Sequence, residues 1–179
     1  MFSMDKAVVA IVDVQGSLAQ LMFERGRLFA NLARLVKGGK VLGLPVLWIE
    51  QNPRHLGPTL PELAELLAPA QPIAKISFSC CGCTAFMDAL RATGRKQVIV
   101  AGIETHVCIY QTARELIELG FEVEVVGDAT SSRAAENHAL GLDRIRQCGA
   151  GVTTVETILL ELLRTSEVPQ FKDILRLIK

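Results

Sequence analysis

The sequence predicts an α/β fold, a single doubly wound parallel sheet of about six strands with helices on both faces, spanning residues 1–179 as one domain. Three observations predict it. Short β-branched runs are continuously apolar instead of alternating, as strands buried on both faces require. Longer segments with helical periodicity separate those runs. Glycines stand between the helical segments and the strands that follow, where a left-handed closing residue fits.

The first strand is Ala7–Val12, ended by Asp13. Leu28, Leu32, Leu35 and Val36 then line one face of a helix, and Gly43-Leu44-Pro45 leads into the strand Val46–Glu50. Gln51–Pro61, with prolines at 53, 58 and 61, reads as a loop at that strand's carboxyl end. A weaker strand, Ile73–Ile76, precedes a short helix carrying Phe86, Ala89 and Leu90, which Gly94 closes before the strand Val98–Ala101. Ile109, Ala113, Leu116 and Ile117 mark the next helix, closed by Gly120 before the strand Val123–Val126. Ala139, Leu142, Ile145 and Arg146 belong to another, closed by Gly149. Val152–Thr154 is a second weak strand, and Ile158–Leu163 a last helix. Strand–helix alternation implies right-handed crossovers, and ligands bind such sheets at the carboxyl ends of the strands.

Composition narrows the function. Half the residues are hydrophobic and 21% are charged, enough for a sizeable core and without the signature of disorder. Lys plus Arg equals Asp plus Glu at 19 each, with no basic cluster, which argues against a nucleic-acid partner. The run Ala7–Val12 is too short to span a membrane, and no basic stretch precedes it as in a signal peptide. Five cysteines without a regular framework point to free thiols in a reducing cytoplasm.

Polar residues sit at three strand ends. Asp13 follows the first strand, Lys75 ends the segment Pro72–Lys75, and Gly102-Ile103-Glu104-Thr105-His106-Val107-Cys108 leads from a strand into a helix. A cysteine in a helix's first turn meets unpaired N–H groups at the positive end of the dipole, and both favour thiolate. A nearby ammonium would lower the thiol pKa further, and a carboxylate could carry the proton. Taken singly, each residue has an ordinary role as a helix cap, a solvated lysine or a small core side chain. Their joint placement at the ligand-binding edge makes them a candidate site.

Ile11-Val12-Asp13-Val14-Gln15, Ala74-Lys75-Ile76-Ser77-Phe78-Ser79 and Ala101–Cys108 resemble, in order and spacing, the three signature blocks of the isochorismatase-like cysteine hydrolases. The likeness covers nearly the whole chain. It is nearest the isochorismatase-domain-containing branch, whose Gln-Asn-Pro-x-x-Leu-Gly-Pro loop matches Gln51–Pro58; Gly127-Asp128-Ala129-x-Ser131-Ser132-Arg133 and Phe171–Lys179 also resemble that branch. The resemblance implies Cys108 as nucleophile, Asp13 as general base or acid, and Lys75 completing a triad. It also implies a cis Ile103–Glu104 bond and an oxyanion hole of backbone N–H groups over Thr105, His106, Val107 and Cys108. The expected reaction is hydrolysis of a small amide-like or C–N-bonded substrate through a thioester. Gln51, Asn52, Phe78 and Glu104 are the residues expected around the substrate.

Nicotinamidases of the same superfamily carry an Asp-x-His metal site after the second strand. Here Trp48-Ile49-Glu50-Gln51-Asn52 holds no histidine, and His55 with one carboxylate is a poor zinc set, so neither a metal nor a cofactor is expected. The main rival reading is a thiol redox protein using Cys80 and Cys83, spaced as a dithiol ahead of a helix. Three cysteines in that short segment could also hold a soft metal, though Cys148 is alone elsewhere; small loop residues are the default reading. A third reading is a non-catalytic oligomeric binding module. His106 reads as a loop residue, since positions so close in a turn seldom let side chains meet, and His138 as a helix-surface or interface residue. A homo-oligomer is expected, with Ile158–Leu163 and Ile174–Ile178 as possible contact surface unless both pack on their own sheet.

Overall fold

Every residue of β1 (Ala7–Val12) is buried, because this strand lies inside the sheet with a helical layer on each side. Alternate side chains serve the two layers: Ala7, Val9 and Ile11 enter one core, Val8, Ala10 and Val12 the other. A computed structural model describes residues 1–179. After β1 come α1 (Gly16–Gln20), α2 (Arg25–Val41), β2 (Val46–Gln51), α3 (Pro53–Leu56), α4 (Pro61–Leu67) and β3 (Ile73–Lys75). Then follow α5 (Thr84–Ala92), β4 (Gln97–Ile103), α6 (Tyr110–Glu118), β5 (Glu122–Ser131), α7 (Ala135–Gln147), β6 (Gly151–Thr153), α8 (Val155–Leu163) and α9 (Phe171–Ile178). A 3₁₀ turn at Cys80–Gly82 precedes α5, and a π turn at Thr105–Ile109 precedes α6.

The strands form one sheet in the order β3-β2-β1-β4-β5-β6, all parallel. The chain winds outward from β1 to β3, then returns to the middle and winds the other way from β4. That reversal opens a crevice at the carboxyl ends of β1 and β4, the usual ligand position in such sheets. On one face α2, α8 and α9 share a core, with Leu28, Leu32, Leu35 and Val36 against Ile158, Leu159, Leu162, Leu163 and Ile174. The apolar segments considered for subunit contact are thus used inside the chain. The opposite face packs Phe86, Met87 and Leu90 of α5, Ala113 and Leu116 of α6, and Ile145 of α7.

Two elements differ from the sequence expectation. β5 continues to Ser131 because it bulges: Val100 pairs with Val125 but Gly102 pairs with Thr130, so five residues of β5 are set against two of β4. The Gln51–Pro61 loop contains α3 and runs into α4, with Pro53 and Pro61 in the first turns of these helices, where no amide donor is missed. No helix is long and apolar enough to cross a membrane.

Gly102 is where the two central strands come closest. Its φ is +124°, and a Cβ there would lie 2.0 Å from the Val12 carbonyl oxygen. Gly102→Ala therefore combines backbone strain with a clash against β1, and is expected to cost on the order of 4 kcal/mol. Urea unfolding of the variant measures it.

Candidate active site at the carboxyl ends of the central strands

Asp13 takes a left-handed conformation, φ +59°, immediately after β1, while its N–H still bonds the Ile49 carbonyl at 3.0 Å. Aspartate tolerates this region better than most side chains, and the turn carries the chain off the sheet at its carboxyl edge. Lys75, the last residue of β3, reaches across β2 to it. The Lys75 Nζ donates to Asp13 Oδ2 at 2.7 Å, to Gln51 Oε1 at 2.6 Å, and to the carbonyls of Phe78 at 3.0 Å and Ser77 at 3.2 Å. Both charged side chains are essentially removed from solvent, at 0% and 3% exposure. An ammonium has three protons for these four acceptors, so one N–H is shared. A buried pair this well surrounded has its desolvation offset by real partners.

The two Asp13 oxygens are unequal. Oδ2 is held by Lys75, whereas Oδ1 is buried with no hydrogen-bond partner. Cys108 lies close enough to feel both charges, although its thiol forms no hydrogen bond to Oδ1 in the resting geometry. Cys108 sits in the π turn between β4 and α6, and the Ile103–Glu104 bond entering that turn is cis. Burial, then the Asp13 carboxylate, push its thiol up to about 12, with Lys75 opposing. This corrects the thiolate expected from the sequence. Cys108 is only 6% exposed, and desolvation outweighs lysine and helix end together. Burial likewise raises the Asp13 carboxyl above its ordinary range, against the pull of Lys75. At neutral pH the resting site holds a thiol beside an ammonium–carboxylate pair.

The other expected site residues divide. Gln51 is at the site but already committed: its Oε1 accepts from Lys75 and its Nε2 donates to the Ile76 carbonyl at 2.7 Å, so it positions the lysine. Glu104 is turned to Arg133, accepting from its backbone N–H at 3.0 Å and its Nε at 3.2 Å, which ties the nucleophile turn to the segment after β5. Asn52, half-buried, is left-handed at φ +39°, and its N–H bonds the Lys75 carbonyl at 2.8 Å. Phe78 presents an exposed ring while its carbonyl serves Lys75. In the turn, the Val107 N–H already donates to the Glu104 carbonyl at 3.0 Å, which removes it from the expected oxyanion donors. Thr105, His106 and Cys108 remain, with Gly141 of α7 packed directly on the Thr105–His106 backbone.

Neither histidine near the turn pairs with Cys108. His106 Nδ1 lies 2.9 Å from Ser132 Oγ, and His138 Nδ1 lies 2.8 Å from Thr105 Oγ1. His138 is half-buried against the turn, so the surface position expected for it is corrected. His55 is exposed, and Glu50 accepts from the Thr59 N–H at 2.7 Å and its hydroxyl at 2.8 Å, anchoring the loop after β2. All five cysteines are free. Cys80 is fully buried with its thiol raised strongly by desolvation, and burial pushes Cys81 up to about 11. Such thiols are the reverse of the low-pKa attacking sulfur a redox dithiol needs.

Gln15 is a site residue the motif reading did not single out. Wholly buried, it accepts from the Gln51 N–H at 2.6 Å and donates to the carbonyls of Gln51 at 3.1 Å and Gly57 at 2.7 Å. It thereby fixes the end of β2 and its loop around Asp13. The available signal was an amide two residues past Asp13 at the end of an otherwise apolar run.

Residues 6–157 match the family described as the isochorismatase domain. The chain is 38% identical over 174 residues to isochorismatase domain-containing protein 2 of Danio rerio, covering 96% of this chain and 86% of the relative. Among solved structures, the MAR1 ribonuclease of Caenorhabditis elegans superposes with a TM-score of 0.93 at 34% identity, covering 99% of this chain and 91% of that one. YcaC of Pseudomonas aeruginosa, solved with hexane-2,5-diol and covalent acrylamide, gives 0.91 at 28% identity, covering 97% and 89%.

Proposed function

The chain belongs to the isochorismatase family, and on that footing we propose that it is a cysteine-dependent hydrolase of small amide-like substrates, with Cys108 as nucleophile and Asp13 and Lys75 as its partners. The observation that carries this reading is the asymmetry of Asp13: Lys75 holds Oδ2, and Oδ1, buried and unpartnered near the Cys108 thiol, is the acceptor a departing proton needs.

When a substrate carbonyl enters, Asp13 Oδ1 takes the thiol proton and Cys108 Sγ bonds the carbonyl carbon. Lys75 then offsets the negative charge that the carboxylate loses and the sulfur gains. The oxyanion points at the N–H groups remaining in the turn, those of Thr105, His106 and Cys108. As the C–N bond breaks, the proton on Asp13 passes to the departing nitrogen, which leaves as a neutral amine and a thioester remains. Water next attacks the thioester carbon, giving a proton to Asp13; the C–S bond breaks, and that proton returns to sulfur as acid is released. Atoms and charge balance, and no cofactor is consumed. The thiol's high resting pKa fits this order: the nucleophile is generated only when a substrate displaces water beside it.

Covalent acrylamide in the Pseudomonas aeruginosa relative supports a reactive nucleophile in a protein of this fold. Turnover of a panel of small amides by wild type, Cys108→Ala and Cys108→Ser is the test. The expected result is loss of hydrolysis in both variants by about a thousandfold or more, and turnover retained in Cys108→Ala rules the reading out. The Caenorhabditis elegans relative is described as a ribonuclease, so RNA belongs in the panel. RNA cleavage unaffected by Cys108→Ala, with no amide hydrolysed, would replace the proposed activity.

A further inference from the structure

On the far half of the sheet from Cys108, the bulge in β5 lifts Gly127 and Asp128 away from β6, which pairs only with Glu124–Val126. Between this edge, the start of α2 and the inner face of α7 lies a crevice of about 510 Å³, whose lining is mostly polar. It lies at the carboxyl ends of β5 and β6, the edge where sheets of this kind take ligands. From this arrangement we propose a second binding site, for a small ligand bearing an oxyanion, either phosphate or carboxylate.

Three features carry the proposal. The Thr153 hydroxyl, on the crevice lining, is fully buried and has no hydrogen-bond partner, a state native structures seldom leave unanswered. His138 also lines the crevice; its Nδ1 is fixed by Thr105 Oγ1 at 2.8 Å, and Nε2 carries no hydrogen bond. Arg27 and Arg146 stand on the lining from α2 and α7. Each has a single exposed partner on its own helix or at its cap, Glu24 at 3.3 Å and Asp143 at 3.0 Å. Pairs of that kind hold a guanidinium weakly, so both can turn to a ligand, and guanidinium is the group best matched to phosphate or carboxylate.

The crevice also holds two acids, which bear on the sign of its charge. Asp128 Oδ1 is occupied by the Val155 N–H at 2.9 Å at the start of α8, so that carboxylate answers the helix end and is not free to repel a ligand. Glu24 is half-exposed and moves with Arg27. A ligand anion therefore meets two displaceable cations, a free imidazole nitrogen and an unsatisfied hydroxyl. Cys108 is not among the lining residues; the connection runs only through Thr105, the first residue of the nucleophile turn, so this site stands independently of the hydrolase reading.

Titration of the protein with inorganic phosphate, and separately with acetate, followed by calorimetry and by NMR of the His138 ring, tests the proposal. Saturable one-to-one binding is expected, weakened about tenfold or more in Arg27→Gln/Arg146→Gln and several-fold in Thr153→Val. Affinity in Cys108→Ala should equal that of wild type. The tighter of the two probes identifies the acid group. Absence of saturation with both, an unchanged affinity in the double arginine variant that keeps its native circular dichroism, or loss of binding in Cys108→Ala would each overturn it.

Discussion

Replacing Asp13 by asparagine is expected to abolish turnover while making the Cys108 thiol more reactive toward iodoacetamide. The Asp13 carboxylate is, after burial, the largest influence raising that thiol, and Lys75 is the group that lowers it. The amide in its place would keep the shape, remove the negative charge, and leave the Lys75 ammonium with a thiolate as its nearest available counter-charge. The thiol pKa falls, and each unit of fall gives tenfold more thiolate. Since a less basic thiolate is a weaker nucleophile, the net gain in alkylation is roughly threefold per unit. Turnover moves the other way, down by about 10²–10⁴, because no group is left to take the proton or return it to the leaving nitrogen. Alkylation and hydrolysis rates measured on the same preparation, against pH, reveal the divergence. Parallel loss of both would mean that Asp13 only supports the fold.

Lys75→Met should be the most destabilising change at the site and should alter how stability depends on pH. Removing one partner of a buried pair leaves the other charge uncompensated, at a cost of about 3–5 kcal/mol. The carbonyls of Ser77 and Phe78 and the Gln51 amide oxygen also lose their donor. Burial already raises the Asp13 carboxyl above its ordinary 3.8, and Lys75 is the first influence holding it down, so the variant raises it further. The sign follows. A carboxyl whose folded pKa exceeds its unfolded one contributes stability below the unfolded value, and that contribution is lost as pH rises through the folded pKa. The variant should therefore be nearest wild type in stability around pH 4 and fall progressively behind toward neutrality. Urea midpoints across that range measure it, and a pH-independent difference would show that the lost packing dominates.

The sequence was a good guide to backbone placement and a poor one to the state of the groups it placed. Continuous apolar runs announced β1, β2 and β4, because strands inside a parallel sheet bury both faces and leave no position for a polar residue until the strand ends. Asp13, Lys75 and Cys108 were visible for the same reason, as polar or reactive residues at the ends of such runs. The ionisation of Cys108 was not visible. It depends on desolvation by neighbours distant in sequence, among them β1 and α5, which share its core. Gln51 and Glu104 were rightly placed near the strand ends, yet their roles depend on Lys75 and Arg133 claiming them first, which residue type alone does not show. The length of β5 was hidden by its bulge: Gly127 and Asp128 read as a strand end, and pairing resumes beyond them at Thr130.

One measurement bears most directly on the central claim that a single sulfur among five forms the intermediate. The enzyme is quenched with acid during hydrolysis of a small amide or activated ester, and the acylated peptide is identified by mass spectrometry. A single acyl group on Cys108, gone in Asp13→Asn during amide turnover, is the predicted result. Acylation of Cys81 or Cys83, or continuing hydrolysis with no covalent species at any cysteine, would contradict it.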